Sequence, residues 1–484
     1  MTISTWFRSA RVRRGIALSA VVLATGGLVL YRAPAAAFPG DPAPLFKPAT
    51  VLVNGKNSAA FAGPGAHGMV SMSHSRVLSG TSTTVFADVR VVADADRLGA
   101  DQKRAPTSLA VVLDTSGSMG GEKIDEAKRS VLRLIAEMHD DDEIAVVRYS
   151  DTSELVQPLA RVGSVRSALS AKIRELDAAG GTNIPGGLSH GLRALDEAAR
   201  GRVRRIVLVS DGLDNTRAQA ETLARTSFSS GITVSSLGIG LDFDESYMGS
   251  LAQNGHGNFG FVKDGASLAT FLHRELQETA GTTIENTRVR LQLPAGMQFV
   301  SATGADVVQN GSEIELAMGS LFAGDERRVV VELSAAAFTN VGTFDVDTQA
   351  SWTQVGGGQT TVRAPRLTIV AASDASEVDR GKDGAVLASA TSVVASRRQV
   401  EAANAYAQGD VRRADELARK NELDLSAAAA AAPAPAASSL QQQIVTYQAA
   451  RKGFANVAPS SAEGKAAAKA GAAKDMSNLG RSVF

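Results

Sequence analysis

Three observations predict an α/β protein with a doubly wound open sheet, a β-sandwich domain and a helical C-terminal region. Two apolar runs, at 109–113 and 206–209, end close to Asp114 and Asp211, as buried parallel strands do where they leave a sheet. Around them, stretches with apolar residues at helical spacing alternate with other short apolar runs, the succession that covers both faces of such a sheet. Beyond Gly281 the apolar period falls to two, which marks short antiparallel strands.

At 484 residues the chain exceeds one ordinary core, so two or three domains are expected. Lys plus Arg and Asp plus Glu number 50 each, which provides no net field for nucleic acid, and no nucleic-acid motif accompanies them. The absence of cysteine excludes disulfides, thiolate metal sites and cysteine catalysis.

The chain opens with Arg8, Arg11, Arg13 and Arg14, then the apolar run Gly15–Tyr31, then Ala35-Ala36-Ala37. This order predicts a signal peptide over 1–37, or a membrane anchor if it is not cleaved, and places the remainder in the periplasm or cell envelope or outside the cell. Residues 38–68, rich in Pro, Gly, Ala and Asn, read as a linker. Over 69–94, one strand is expected at Val70–Leu78 and a second at Thr84–Ala93, where Val85, Ala87, Val89 and Val91 share a face.

The doubly wound domain is expected over 107–280. A helix from Gly121 to His139 carries Ile124, Ala127, Val131, Leu134, Ile135 and Met138 on one stripe. A strand at Glu143–Tyr149 and an edge strand at Glu154–Leu159 follow, then a helix capped by Ser164. A helix at Ile184–Ala199, a strand at Arg204–Val209, a helix near Ala218–Ser227, a strand at Ile232–Ile239 and a final helix capped by Ser267 complete the set. Residues 283–370 alternate as a sandwich. The strands at 69–94 cannot be stable as a lone pair, so they are expected to join the later ones, making the sandwich discontinuous. A tetratricopeptide-like helical hairpin is expected over 385–425, and an alanine-rich linker with a weakly structured helical tail over 426–484.

The chemistry concentrates at Ser108–Gly120. Asp114-Thr115-Ser116-Gly117-Ser118 sets a carboxylate and two further hydroxyl oxygens, at Ser116 and Ser118, on one tight turn, the donor type of a hard cation. Magnesium wants six ligands, and the chain offers Thr182 in Gly180-Gly181-Thr182-Asn183 and Asp211 after the run 205–210. These three signals, in this order over about 107–278, resemble the von Willebrand factor type A domain with its metal-ion-dependent adhesion site. The resemblance implies that Asp114, Ser116, Ser118, Thr182 and Asp211 hold a divalent cation, Mg2+ by default with Mn2+ or Ca2+ also compatible. It further implies divalent-cation-dependent binding of a partner protein through an aspartate or glutamate of that partner.

Asp214 and Asn215, just after Asp211, have two readings, shaping the rim of the site or forming a solvated acidic loop, of which the second is the more economical; His190 reads as a packing or surface residue and His256 as part of a turn. The six histidines form no HExxH set, no GxxxxGK[ST] loop is present, and no serine can be given a base. The expectation is therefore an exported or envelope-anchored interaction module rather than an enzyme. A metal-dependent hydrolase and an envelope component with a purely stabilising metal are the alternatives.

Overall fold

The computed structural model describes residues 57–95, 106–199, 201–211, 214, 216–239, 244–262, 265–335, 342–461, 463–465, 468 and 475. The expected signal segment, most of the linker, Asn215 and most of the tail beyond 461 lie outside the described residues.

The chain begins with β1 (Ser58–Gly63), β2 (Ala66–Met72), β3 (Arg76–Leu78) and β4 (Thr83–Ala93). Pairing starts inside the segment expected to be a linker. Ala59 and Phe61 are buried on one face of β1, and Gly65, at φ +88°, makes the return to β2. Alanine and glycine carry too little contrast for that alternation to be visible in the sequence. The single strand expected at Val70–Leu78 is broken between β2 and β3, where His74 bridges instead to Lys382.

The doubly wound domain runs β5 (Thr107–Asp114), α1 (Glu122–Glu137), β6 (Glu143–Tyr149), β7 (Ser153–Arg161), α2 (Val162–Arg174), α3 (Ile184–Asp196), β8 (Val203–Ser210), α4 (Arg217–Ser229), β9 (Ile232–Ile239), α5 (Glu245–Asn254), β10 (His256–Val262) and α6 (Gly265–Ala280). The sheet order is β10-β9-β8-β5-β6-β7, parallel except for the edge strand β7. Every residue of β5 is buried because both faces are covered. Helices α1, α2 and α6 close one core, and α3, α4 and α5 the other.

Some local expectations are corrected. Ser164 and Ser267 lie inside α2 and α6 rather than at their caps; the Ser164 hydroxyl donates to the carbonyl of Arg161. The pair α5–β10 was not legible. His256 opens β10 at φ +53° and stacks on Phe228, with ring centroids 3.7 Å apart, instead of lying in a turn.

Next come β11 (Thr282–Gln292), β12 (Met297–Thr303), β13 (Asp306–Asn310), β14 (Glu313–Phe322), β15 (Glu326–Ala335), β16 (Gly342–Gln354), β17 (Gln359–Arg363) and β18 (Leu367–Ala372). One sheet has the order β1-β2-β4-β15-β12, the other β13-β14-β11-β16-β18-β3, with β17 added to β16. Their inner faces share one core, including Val70, Val89, Leu291, Leu316, Val331 and Trp352. Strands from before and after the doubly wound domain thus complete the same two sheets. The turn between β14 and β15 ties both crossings together: Ala323 N donates to Gly281 O at 3.0 Å and Gly324 N to Ala93 O at 2.9 Å. Such closeness of the two ends is what an inserted domain requires.

The chain closes with α7 (Ala375–Gly381), α8 (Gly384–Ala407), α9 (Val411–Ala431) and α10 (Ala434–Asn456). The expected hairpin is present as α8 and α9, a third long helix joins it, and the alanine-rich linker expected from 426 on is corrected. α9 continues to Ala431, with Ala428 and Ala429 buried, and only Ala432 and Pro433 separate it from α10. Alanine has the highest helix propensity, and proline is tolerated in the first turn, so the same composition serves two helices. Val330, Ala390 and Val393, with Phe86 against them, seat α8 on the first sheet. Among the described residues no helix is long and apolar enough to cross a membrane.

Candidate metal centre

Strands β5 and β8 are parallel neighbours with Leu113 opposite Val209, so their C-terminal ends deliver Asp114 and Asp211 side by side. Asp114 is fully buried. Its Oδ1 accepts from Ser116 N at 2.8 Å and its Oδ2 from the Ser210 hydroxyl at 2.7 Å. Burial pushes its carboxyl above the usual value, the Ser116 and Ser210 hydrogen bonds oppose that, and the neighbouring Asp211 charge adds to it. Ser116 Oγ lies 3.0 Å from Ser118 Oγ, which donates to Asp211 Oδ1 at 2.7 Å. Four of the five expected ligands therefore form one hydrogen-bonded chain, exposed at Ser118.

Thr182 arrives from the loop before α3. Gly117 N donates to Gly180 O at 2.9 Å and Ala179 N to Thr115 O at 2.8 Å, which lays that loop along the Asp114–Ser118 turn. Gly180 adopts φ +84°, and a Cβ there would collide with Asp151 Oδ2, so both conformation and space call for glycine. Asn183 Oδ1 caps α3 by accepting from Gly186 N at 2.9 Å. Close seating of α3 completes the placement: a Cβ on Gly187 would lie 2.8 Å from Tyr149 Cδ1, and one on Gly191 2.8 Å from Val112 Cγ2.

Three further residues organise the rim. Asp214 is not a solvated acid: its Oδ2 accepts from Ile184 N at 2.8 Å, and its Oδ1 from Thr216 N at 2.9 Å and from the Tyr247 hydroxyl at 3.0 Å. Burial first, and then Asp214, push the Tyr247 phenol above its usual value. Lys123, in the first turn of α1, pairs its ammonium with Asp211 Oδ2 and donates to Ser118 O at 3.2 Å. For Asp214 the rim reading, carried by its proximity to Asp211 in sequence, prevails over the solvated loop; Lys123 and Tyr247 carry no signal that separates them from ordinary helix residues. His190 lies on α3 and faces β7, its Nδ1 2.6 Å from Ser153 Oγ.

Among the described residues no three His, Asp or Glu side chains gather into one cluster. The set here is two carboxylates and three hydroxyls, all hard oxygen donors, and this chemistry fits a divalent cation of the Mg2+ type. The carboxylates already receive internal hydrogen bonds, which fixes their orientation while their charge remains available to such an ion.

The family profile described as von Willebrand factor type A domain matches residues 108–274. Among curated proteins, the chain is 25% identical over 245 residues to the uncharacterized protein sll0103 of Synechocystis, covering 48% of this chain and 58% of that one. It is 28% identical over 214 residues to the uncharacterized protein YfbK of Escherichia coli, covering 42% and 37%. Similarity to inter-alpha-trypsin inhibitor heavy chain H4 of Bos taurus is 24% over 226 residues, covering 44% and 24%. The chain thus spans less than two thirds of the length of each of these relatives. Two solved structures share its fold: a von Willebrand factor type A protein from Catenulispora acidiphila, with TM-score 0.59 and 19% identity over 82% of this chain and 97% of that one, and the ArnB paralog VWA2 from Sulfolobus acidocaldarius, with TM-score 0.55 and 14% identity over 88% and 98%.

Proposed function

Because residues 108–274 match the von Willebrand factor type A domain, we propose that the chain is an exported or envelope-anchored module that captures a partner protein through a divalent cation. Domains of this type generally mediate protein interaction and commonly bind a divalent metal. The observation that carries the reading is the hydrogen-bonded chain Asp114–Ser116–Ser118–Asp211 at the C-terminal edge of the sheet, open to solvent at Ser118 and joined by the Thr182 loop.

Hydroxyl ligands leave the ion with much of its charge, so a partner Asp or Glu carboxylate can complete its coordination with strong attraction. Mg2+ is the proposed ion. Arg8–Arg14 and the apolar run Gly15–Tyr31 support export to the periplasm or cell envelope, with that run serving as a cleaved leader or as a membrane attachment.

The test uses the chain without residues 1–37 as bait in envelope extract, with Mg2+ or with chelator, beside Asp114→Ala. Partners identified by mass spectrometry should be recovered with Mg2+ and reduced at least about tenfold by chelator or by the substitution, a change of about 1.4 kcal/mol. Equal recovery of the same partner under all three conditions would refute metal-bridged capture. Direct melting supplies a second readout: Mg2+ at about 100 times its Kd should add about 2.7 kcal/mol to the wild type and nothing to Asp114→Ala.

A further inference from the structure

Lys123 stands at the candidate metal centre without belonging to its ligand set. Its side chain is one-third exposed, whereas the side chain of Asp211 that it pairs with is fully buried. It also donates to the backbone carbonyl of Ser118 at 3.2 Å, so one side chain of α1 grips both the turn after β5 and the end of β8. Asp211 consequently has each oxygen engaged: Oδ1 by the Ser118 hydroxyl and Oδ2 by Lys123.

We propose that Lys123 is a tethered internal cation that competes with the divalent ion for Asp211, and so sets the cation concentration at which the site loads. The inference rests on the cation-binding reading above and deepens it. A lysine ammonium is a compact point charge on a flexible stem, able to leave Asp211 for solvent, and its partial exposure gives it an outward path. A divalent ion drawing on the same buried carboxylate meets like-charge repulsion from Lys123, and both favour the same negative charge. Binding of one weakens binding of the other by the same factor, because such coupling is reciprocal.

Two consequences separate competition from a merely structural ion pair. Removing the ammonium tightens Mg2+ binding while leaving Asp211 without its counter-charge when no Mg2+ is added. Mg2+ in turn releases the Lys123 amine, which becomes more reactive toward an acylating reagent.

The experiment measures Mg2+ affinity by calorimetry for wild type, Lys123→Met and Lys123→Arg, and the melting temperature of each with chelator and with saturating Mg2+. Lys123→Met should bind Mg2+ about tenfold more tightly, melt below wild type in chelator, and recover most of that loss with Mg2+. Lys123→Arg should remain close to wild type in affinity. Acylation of Lys123, followed by peptide mass spectrometry, should quicken in wild type when Mg2+ is added. Unchanged or weaker Mg2+ binding by Lys123→Met, with an equal melting loss in both conditions, overturns competition and leaves Lys123 a structural tie. Failure of every form, wild type included, to bind Mg2+ overturns the cation-binding reading itself.

Discussion

Asp214 carries three hydrogen bonds on two oxygens and links three elements: Ile184 N at the start of α3, Thr216 N before α4 and the Tyr247 hydroxyl of α5. Ile184 follows Thr182 by two residues, so the carboxylate fixes the loop that presents the proposed fifth ligand. Asp214→Ala leaves two backbone amides and a buried phenol without this acceptor, and a lost helix cap alone costs about 1 kcal/mol. The variant should lose about 1–2 kcal/mol in urea denaturation and bind Mg2+ several-fold more weakly, whereas Tyr247→Phe should lose about 1 kcal/mol with little change in Mg2+ affinity. Equal Mg2+ binding by Asp214→Ala and wild type would remove Asp214 from the positioning of Thr182. At this scale the legible residues were those whose type and spacing are constrained together, Asp114, Ser116 and Ser118 above all. The solvated reading of Asp214 was favoured because two of its three partners, Ile184 N and the Tyr247 hydroxyl, lie about thirty residues away in α3 and α5, and an aspartate in a glycine-containing loop has the same local appearance whether solvated or bonded.

Among the elements, β11 follows the inserted domain, and Glu285 feels the charge of a residue at the end of β8 remote from Asp211. Glu285 of β11 lies near Arg204 at the start of β8; burial raises its carboxyl to about 7, with Arg204 acting in the opposite direction. A carboxyl whose folded pKa exceeds its unfolded value favours the folded state only while protonated. Stability is therefore unaffected at low pH and declines as pH rises from about 4.5 through about 7. Glu285→Gln should therefore raise the melting temperature at pH 8 by a few degrees and change it little at pH 4; an equal shift at both would assign the effect to packing instead. The strands themselves were legible where their faces differ, as in β4, β14 and β15. Alanine-rich β1, the end of α9 beyond Leu425 and the start of α10 were not, because alanine fits a linker, a strand face or a helix equally well and only the partner decides. The pair α5–β10 was hidden for a related reason: Gly255 and Gly257 punctuate it as a turn would, yet both are packed against Val234 of β9.

At the scale of the molecule, the proposed cation edge and the helical bundle lie on different supports. The inserted domain enters at Thr107 and leaves beyond Ala280 at the N-terminal end of its sheet; Glu275 of α6 meets Arg205, at the start of β8, at 2.8 Å. Asp114 and Asp211 are at the other end of those strands. The bundle instead rests on the outer face of the first sandwich sheet, where a buried polar cluster reinforces the contact. Asp88 of β4 accepts from Arg90 at 3.0 Å and from the Ser389 hydroxyl of α8 at 2.7 Å, and Arg328 donates to that hydroxyl at 3.2 Å. Burial pushes the Asp88 carboxyl up, but Arg90, Arg328 and Ser389 outweigh it and hold it below the usual range, while burial lowers Arg328 to about 10. Asp88→Ala would remove the buried carboxylate that pairs with Arg90 and lies beside Arg328, with Glu326, 3.7 Å from Arg90, as another acidic neighbour. Breaking a buried pair in this way typically costs about 3–5 kcal/mol. The loss should fall on the sandwich and on α8, read as faster amide exchange in α8 and an earlier urea transition, while Mg2+ affinity at the inserted domain stays within about twofold of wild type, since well-separated sites act nearly independently. A parallel fall in Mg2+ affinity would instead show that the sandwich and the cation edge are energetically coupled through β11 and α6.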